Sequence, residues 1–107
     1  MTIMTRYQKI KQERAQERMR SAKRAWIRIS DFLSSRGVEA RVFGSIADGR
    51  CSELSDLDVM IFGDPGLDLK REILREADYA SGETGVPIDI VFERDFPDIL
   101  RSIRHED

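Results

Sequence analysis

Cysteine and histidine are almost missing from this chain: its 107 residues include one cysteine, Cys51, and one histidine. A lone cysteine cannot form an internal disulfide, which suits a reducing, cytoplasmic setting. Without a Cys/His cluster there is no basis for a zinc site. Long apolar runs are missing too. None approaches the ~20 residues that a membrane span needs, and the opening Met-Thr-Ile-Met-Thr-Arg-Tyr-Gln lacks the apolar stretch of a secretion signal. Proline and glycine are absent from residues 3–35, so nothing in that third of the chain interrupts a helix. Internal repeats and low-complexity segments are lacking as well. What remains is the composition of an ordinary soluble globule, 40% hydrophobic and 36% charged, with a length that suits one domain over residues 1–107.

The net charge is only −2, but the two signs are separated along the chain. Residues 1–36 hold ten Lys/Arg against three Asp/Glu, and residues 37–107 hold eight against seventeen. Such asymmetry points to a basic element that faces a partner or a phosphate. Within the basic part, Ala15, Met19, Ala22, Trp26, Ile29 and Leu33 recur every three or four residues, one face of a helix, and Phe32 widens the stripe. Ile3, Tyr7 and Ile10 form a shorter stripe that is out of phase with it. The pattern predicts one long helix, or two helical pieces, ending near Arg36 with Gly37 as its stop. Trp26, Ile29 and Leu33 are expected to pack under a sheet. Residues 1–15 read as a basic helical arm: either a solvated face, or a contact for a partner protein, a second copy of the chain or RNA. Only Tyr7 interleaves the cations as a stacking platform, so direct nucleic-acid binding is not expected.

Further along, residues 38–43 and 56–62 read as strands, the second from its apolar run Val59-Met60-Ile61-Phe62. A loop at 63–66 leads into a helix over about residues 68–81, with Leu69, Ile73, Leu74 and Ala77 on its buried side. A loop at 81–85 precedes a third strand at 86–92, in which Ile88, Ile90 and Phe92 share one face and Asp89 and Val91 the other. A short last helix is expected over residues 96–104, with Phe96, Ile99, Leu100 and Ile103 inward and Pro97 in its first turn.

The stretch from Phe43 to Asp58 organises the whole: Phe-Gly-Ser-Ile-Ala-Asp-Gly-Arg-Cys-Ser-Glu-Leu-Ser-Asp-Leu-Asp. A glycine directly after a strand permits a sharp turn and a close approach by a ligand. Ser45 adds a hydroxyl, and a short helix starting at Ile46 and broken at Gly49 would present free N–H groups to a phosphate. Cys51 reads as a small spacer. At the far end Asp56 and Asp58, two residues apart on a strand, fall on one face about 7 Å apart. Carboxylates so placed repel unless a cation lies between them, and hard divalent ions such as Mg²⁺ take such oxygens together with substrate phosphates. Asp89 is a third acid of this kind. An unpaired charge inside Val-Pro-Ile-Asp-Ile-Val-Phe is expensive to bury, unless it meets a cation or reaches water at the strand end.

Gly44-Ser45, a ten-residue spacer, then Asp56-x-Asp58 resembles the signature of the DNA polymerase β-like nucleotidyltransferase superfamily. The spacer and short chain are most similar to the minimal nucleotidyltransferases, which commonly act as antitoxins to HEPN-type toxins. The resemblance covers roughly residues 25–95. It implies an α/β (α+β) nucleotidyltransferase fold: a small mixed sheet of three or four strands, helices on one face and a long N-terminal helix. It implies that Asp56 and Asp58 bind two Mg²⁺ ions against a nucleoside triphosphate, with ATP as the expected donor. Gly44 and Ser45 would grip the β- and γ-phosphates, and Asp89 would hold the metal beside the acceptor hydroxyl and help remove its proton. The implied partner is a cognate HEPN-type toxin that receives AMP on a hydroxyl, expected to be a tyrosine's. The alternatives are a nucleotide-binding antitoxin that acts by docking alone, and a transferase with a small-molecule or RNA acceptor. In place of the basic residues that often follow Gly-Ser in the family, this chain has Ile46 and Asp48, with Arg41 and Arg50 as the nearest cations.

Overall fold

The computed structural model describes residues 4–95. The expected last helix over residues 96–104 lies outside them. The first element is a single continuous helix, α1 (Arg6–Ser35). Thr5 and Gln8 close its start reciprocally. The Thr5 hydroxyl accepts from the Gln8 amide at 3.1 Å, and the Gln8 side chain accepts from the Thr5 amide at 2.9 Å. At its end the Gly37 amide donates to the Ser34 carbonyl and the Val38 amide to the Leu33 carbonyl, a six-to-one closure that satisfies the last carbonyls.

Three strands follow: β1 (Ala40–Phe43), β2 (Leu57–Ile61) and β3 (Ile88–Phe92). A one-turn helix, α2 (Gly44–Ala47), leaves β1, and α3 (Leu67–Thr84) joins β2 to β3. The sheet order is β1-β2-β3, with β1 antiparallel and β3 parallel to β2. It is the mixed sheet of an α+β fold, with three strands among the described residues. The helical crossover through α3 is what a parallel neighbour requires. A single turn of 3₁₀-helix, Glu93–Asp95, follows β3.

The core lies between this sheet and the two long helices. Ala22, Ala25, Ile29 and Leu33 from α1, Ile73, Ala77 and Ala80 from α3, and Leu57, Val59 and Ile61 from β2 form one buried cluster. Several expectations need correction. Trp26 is only half-buried at the margin of that cluster. Leu74 is exposed, because one residue past Ile73 turns a side chain about 100° around the helix, away from the sheet. The loop expected at 81–85 is helical through Thr84. Buried Ala80 anchors that last turn, and the Thr84 hydroxyl donates to the Ala80 carbonyl at 2.7 Å. Gly85, at φ +77°, is the residue that stops α3.

Candidate active site

The register of the strands determines which functional side chains meet. Phe43 stands opposite Asp58 across the antiparallel pair, and Asp58 stands beside Asp89 across the parallel pair. Neighbouring strands lie about 4.8 Å apart, so these carboxylates sit side by side on the face away from the helices. Asp58 is half-buried and Asp89 exposed. The expected burial cost at Asp89 is therefore absent, because its side chain reaches water on β3, the outer strand of the sheet among the described residues. Asp56 lies one residue ahead of β2 rather than in it, also half-buried. Burial raises the Asp58 pKa above the ordinary carboxylate range, the negative charges of Asp89 and Asp56 raise it further, and a hydrogen bond with Asp89 adds to this.

Gly44 begins α2 at φ +79°, immediately after β1. A Cβ placed there would overlap the Asp58 carboxylate oxygen Oδ2 and lie 3.3 Å from its Cγ. The glycine is needed first for the close approach of Asp58, whatever ligand approaches as well. Ser45 follows, and its hydroxyl donates to the Ser55 hydroxyl at 3.1 Å. α2 has only four residues and no side-chain cap from Phe43, so it offers a few backbone amides rather than a helix dipole. Ile46 packs against the core beside Trp26 and Val42, which accounts for an apolar residue at that position. Asp48 is paired with Arg50 at 2.7 Å. Its charge, unfavourable near a triphosphate, thus has a cation beside it.

The segment that carries Asp56 is tied to α1 and α3. Arg18 donates from Nε to the Glu53 carbonyl at 2.9 Å and from Nη1 to the Gly85 carbonyl at 3.1 Å. Arg14 pairs with Glu53 at 3.6 Å, and the Leu57 amide donates to the Pro87 carbonyl at 2.9 Å. The Cys51 thiol lies 3.8 Å from the Ala15 carbonyl, a packing contact in keeping with a spacer. Arg18 and Ser55 are structural members of the site that the motif did not single out. Ser52-x-x-Ser55 directly before Asp56 was the available signal, since serines at that spacing close turns through backbone amides.

Among the described residues, no group of three or more His, Cys, Asp or Glu side chains is gathered closely enough to hold a metal ion as placed. The chemistry of the acids nevertheless fits a hard divalent cation. Asp56, Asp58 and Asp89 offer only oxygen, and their mutual repulsion raises the Asp58 pKa, a strain that a cation would relieve.

A glycine-serine turn set against acids from two parallel strands has the chemistry to receive phosphates and cations. The family model described as the nucleotidyltransferase domain matches residues 26–107, and the chain belongs to that family. Nucleotidyl transfer is accordingly its general activity, and members of the family typically use a nucleoside triphosphate and a divalent metal. No curated protein and no solved structure matches the chain. No helix among the described residues is long and apolar enough to cross a membrane.

Proposed function

We propose that the protein is an antitoxin enzyme that transfers AMP from ATP to a tyrosine hydroxyl of a cognate HEPN-type toxin, in the cytoplasm. The observation that carries the transfer reading is the juxtaposition of Asp58 and Asp89 in register on parallel strands, with Gly44 packed against Asp58. Asp56 and Asp58 would hold two Mg²⁺ ions, with Asp89 sharing one of them. When bound, those ions supply electrostatic stabilisation of the attacking and leaving oxygens. Gly44 and Ser45 would orient the β- and γ-phosphates through backbone amides and hydroxyl. Asp89, exposed on β3, would receive the proton of the acceptor hydroxyl as that oxygen bonds to the α-phosphorus. The bond from that phosphorus to the bridging oxygen breaks, and pyrophosphate leaves.

A macromolecular acceptor is supported by the shape of α1. Residues 4–14 are exposed throughout and include four cations, Arg6, Lys9, Lys11 and Arg14, beside the apolar Met4, Tyr7 and Ile10. Such a surface suits a protein partner or a second copy. The Asp48–Arg50 pair weakens the docking-only alternative, since Asp48 no longer stands as an uncompensated charge. The test is to incubate the protein with α-labelled ATP and Mg²⁺, with and without the product of a neighbouring gene. Label on a tyrosine of that product supports the reading. Label on RNA or a small molecule would replace the acceptor, and tight association without any label would favour docking.

A further inference from the structure

Ser55 is 7% exposed, immediately precedes Asp56, and is the centre of a three-serine cluster. Its hydroxyl oxygen accepts from the Ser52 amide at 2.8 Å, lies 3.1 Å from the Ser45 hydroxyl and 3.4 Å from the Ser52 hydroxyl. The Ser52 hydroxyl in turn accepts from the Leu54 amide at 3.2 Å, and the Ser55 amide donates to the Ser52 carbonyl at 3.2 Å. The oxygen positions are thus held by backbone.

A hydroxyl has one proton and two acceptor lone pairs. The Ser52 amide occupies one lone pair of Ser55 in every arrangement. The other lone pair and the proton are left for Ser45 and Ser52. The placed atoms give one arrangement, with Ser45 as donor to Ser55, and rotation of the hydroxyls gives a second. In the first, Ser45 donates inward to Ser55, and Ser55 donates to Ser52. In the second, Ser55 donates outward to Ser45, which leaves the Ser45 proton free to point away from the cluster. The first satisfies Ser45 without any ligand. The second makes Ser45 a donor to an anion, strengthened by the bond it accepts from behind.

We infer that Ser55 is a positioning residue for nucleotide binding: by reversing one hydrogen bond it holds the Ser45 hydroxyl in place and turns it into a donor for a phosphate oxygen. This inference rests on the nucleotidyl-transfer reading and concerns the phosphate end of the same site. Ser55 does not touch the ligand. It acts through Ser45, and because it adjoins Asp56 it ties the phosphate seat to the acid segment in one short turn.

The test is a double-mutant cycle on ATP affinity in the presence of Mg²⁺, read by calorimetry on the full chain, with thermal melts as a check on folding. Ser45→Ala and Ser55→Ala are each expected to weaken binding about tenfold, the size of a lost hydrogen bond to a charged group. In the Ser45→Ala background, Ser55→Ala is expected to change affinity by less than about twofold, since residues that act as one unit are not additive. Two independent tenfold losses would overturn the inference, because a merely structural Ser55 would weaken binding whether or not Ser45 has its hydroxyl. Unchanged affinity in Ser55→Ala would overturn it as well. If Ser55→Ala fails to fold, Ser55→Cys keeps the volume with a weaker donor and is read in the same cycle. Absence of ATP binding by the wild type would overturn the transfer reading itself and this inference with it. Normal wild-type binding with additive losses would remove the role of Ser55 alone.

Discussion

Helix α1 has two halves with opposite surroundings. Residues 4–14 are exposed at every position, whereas over residues 21–33 the stripe Ala22, Ala25, Ile29 and Leu33 is sealed against α3 and the sheet. The family match begins at Trp26, within the second half. Between them, Arg14 and Arg18 reach across to Glu53 and Gly85. The contrast teaches that helical continuity says little about burial. Beyond the packed half each further residue adds one backbone bond, and the Thr5–Gln8 box closes the far end. What propagates outward without packing is free to serve as a surface.

The sharpest way to break this comparison is a core truncation in the packed half. Ile29→Ala is expected to destabilise by about 2–5 kcal/mol, as large-to-small changes at fully buried sites do. Denaturant unfolding measures it, and a loss under about 1 kcal/mol would mean that this half is not the anchor. Arg18→Ala tests the junction. It removes bonds to two backbone carbonyls and is expected to cost about 1–2 kcal/mol, the low end for charged donors because the guanidinium is partly exposed. ATP affinity should fall with it, since the segment carrying Asp56 loosens, and Arg18→Lys should not restore the two-carbonyl fork.

Asp58→Asn sets the scale for the acid site. A carboxyl whose folded pKa is raised binds its proton more tightly when folded, so stability falls as pH rises from the unfolded value through the folded one. The variant should lose that pH dependence and, above that window, melt at the same temperature as wild type or higher. Transfer should be abolished. Retention of transfer near the wild-type level would remove Asp58 from the metal site. The smallest effect belongs to the outer half. A chain starting at Ala15 gives up the Thr5–Gln8 box and the Arg14–Glu53 ion pair, and should unfold within about 1 kcal/mol of full length. It should bind ATP equally and associate less well with its partner, and added salt should weaken the full-length association. Undiminished partner affinity would reject the outer half as an interface.

The strands, the long helix and the acid motif were legible because each rests on short-range pattern: an apolar run from Val59 to Phe62, period two from Ile88 to Phe92, period 3.6 from Ala15 to Leu33, and a glycine-serine turn at fixed spacing before two aspartates. What escaped depends on position in three dimensions. Leu74 counts as apolar in any window, yet the sheet lies on the Ile73 side. Residues 81–85 read as a loop, but the helix runs through Gly82 to Thr84 and stops at Gly85, where the backbone turns left-handed. Asp89 looked costly because its neighbours are apolar, and only its place on the outer strand among the described residues shows that its side chain meets water. The reach of Arg18 across 67 residues to Gly85 leaves no local trace at all.

The parallel pairing of β2 with β3 bears on the order in which the protein becomes competent. α1 needs only near neighbours to coil, and it is made before the strands. Asp58 and Asp89 become neighbours only after the eighteen residues of α3 have been made, folded back and followed by β3. Non-local pairing of this sort is the slow part of assembly. A nascent chain would therefore display its basic helix before it owns a complete set of acids.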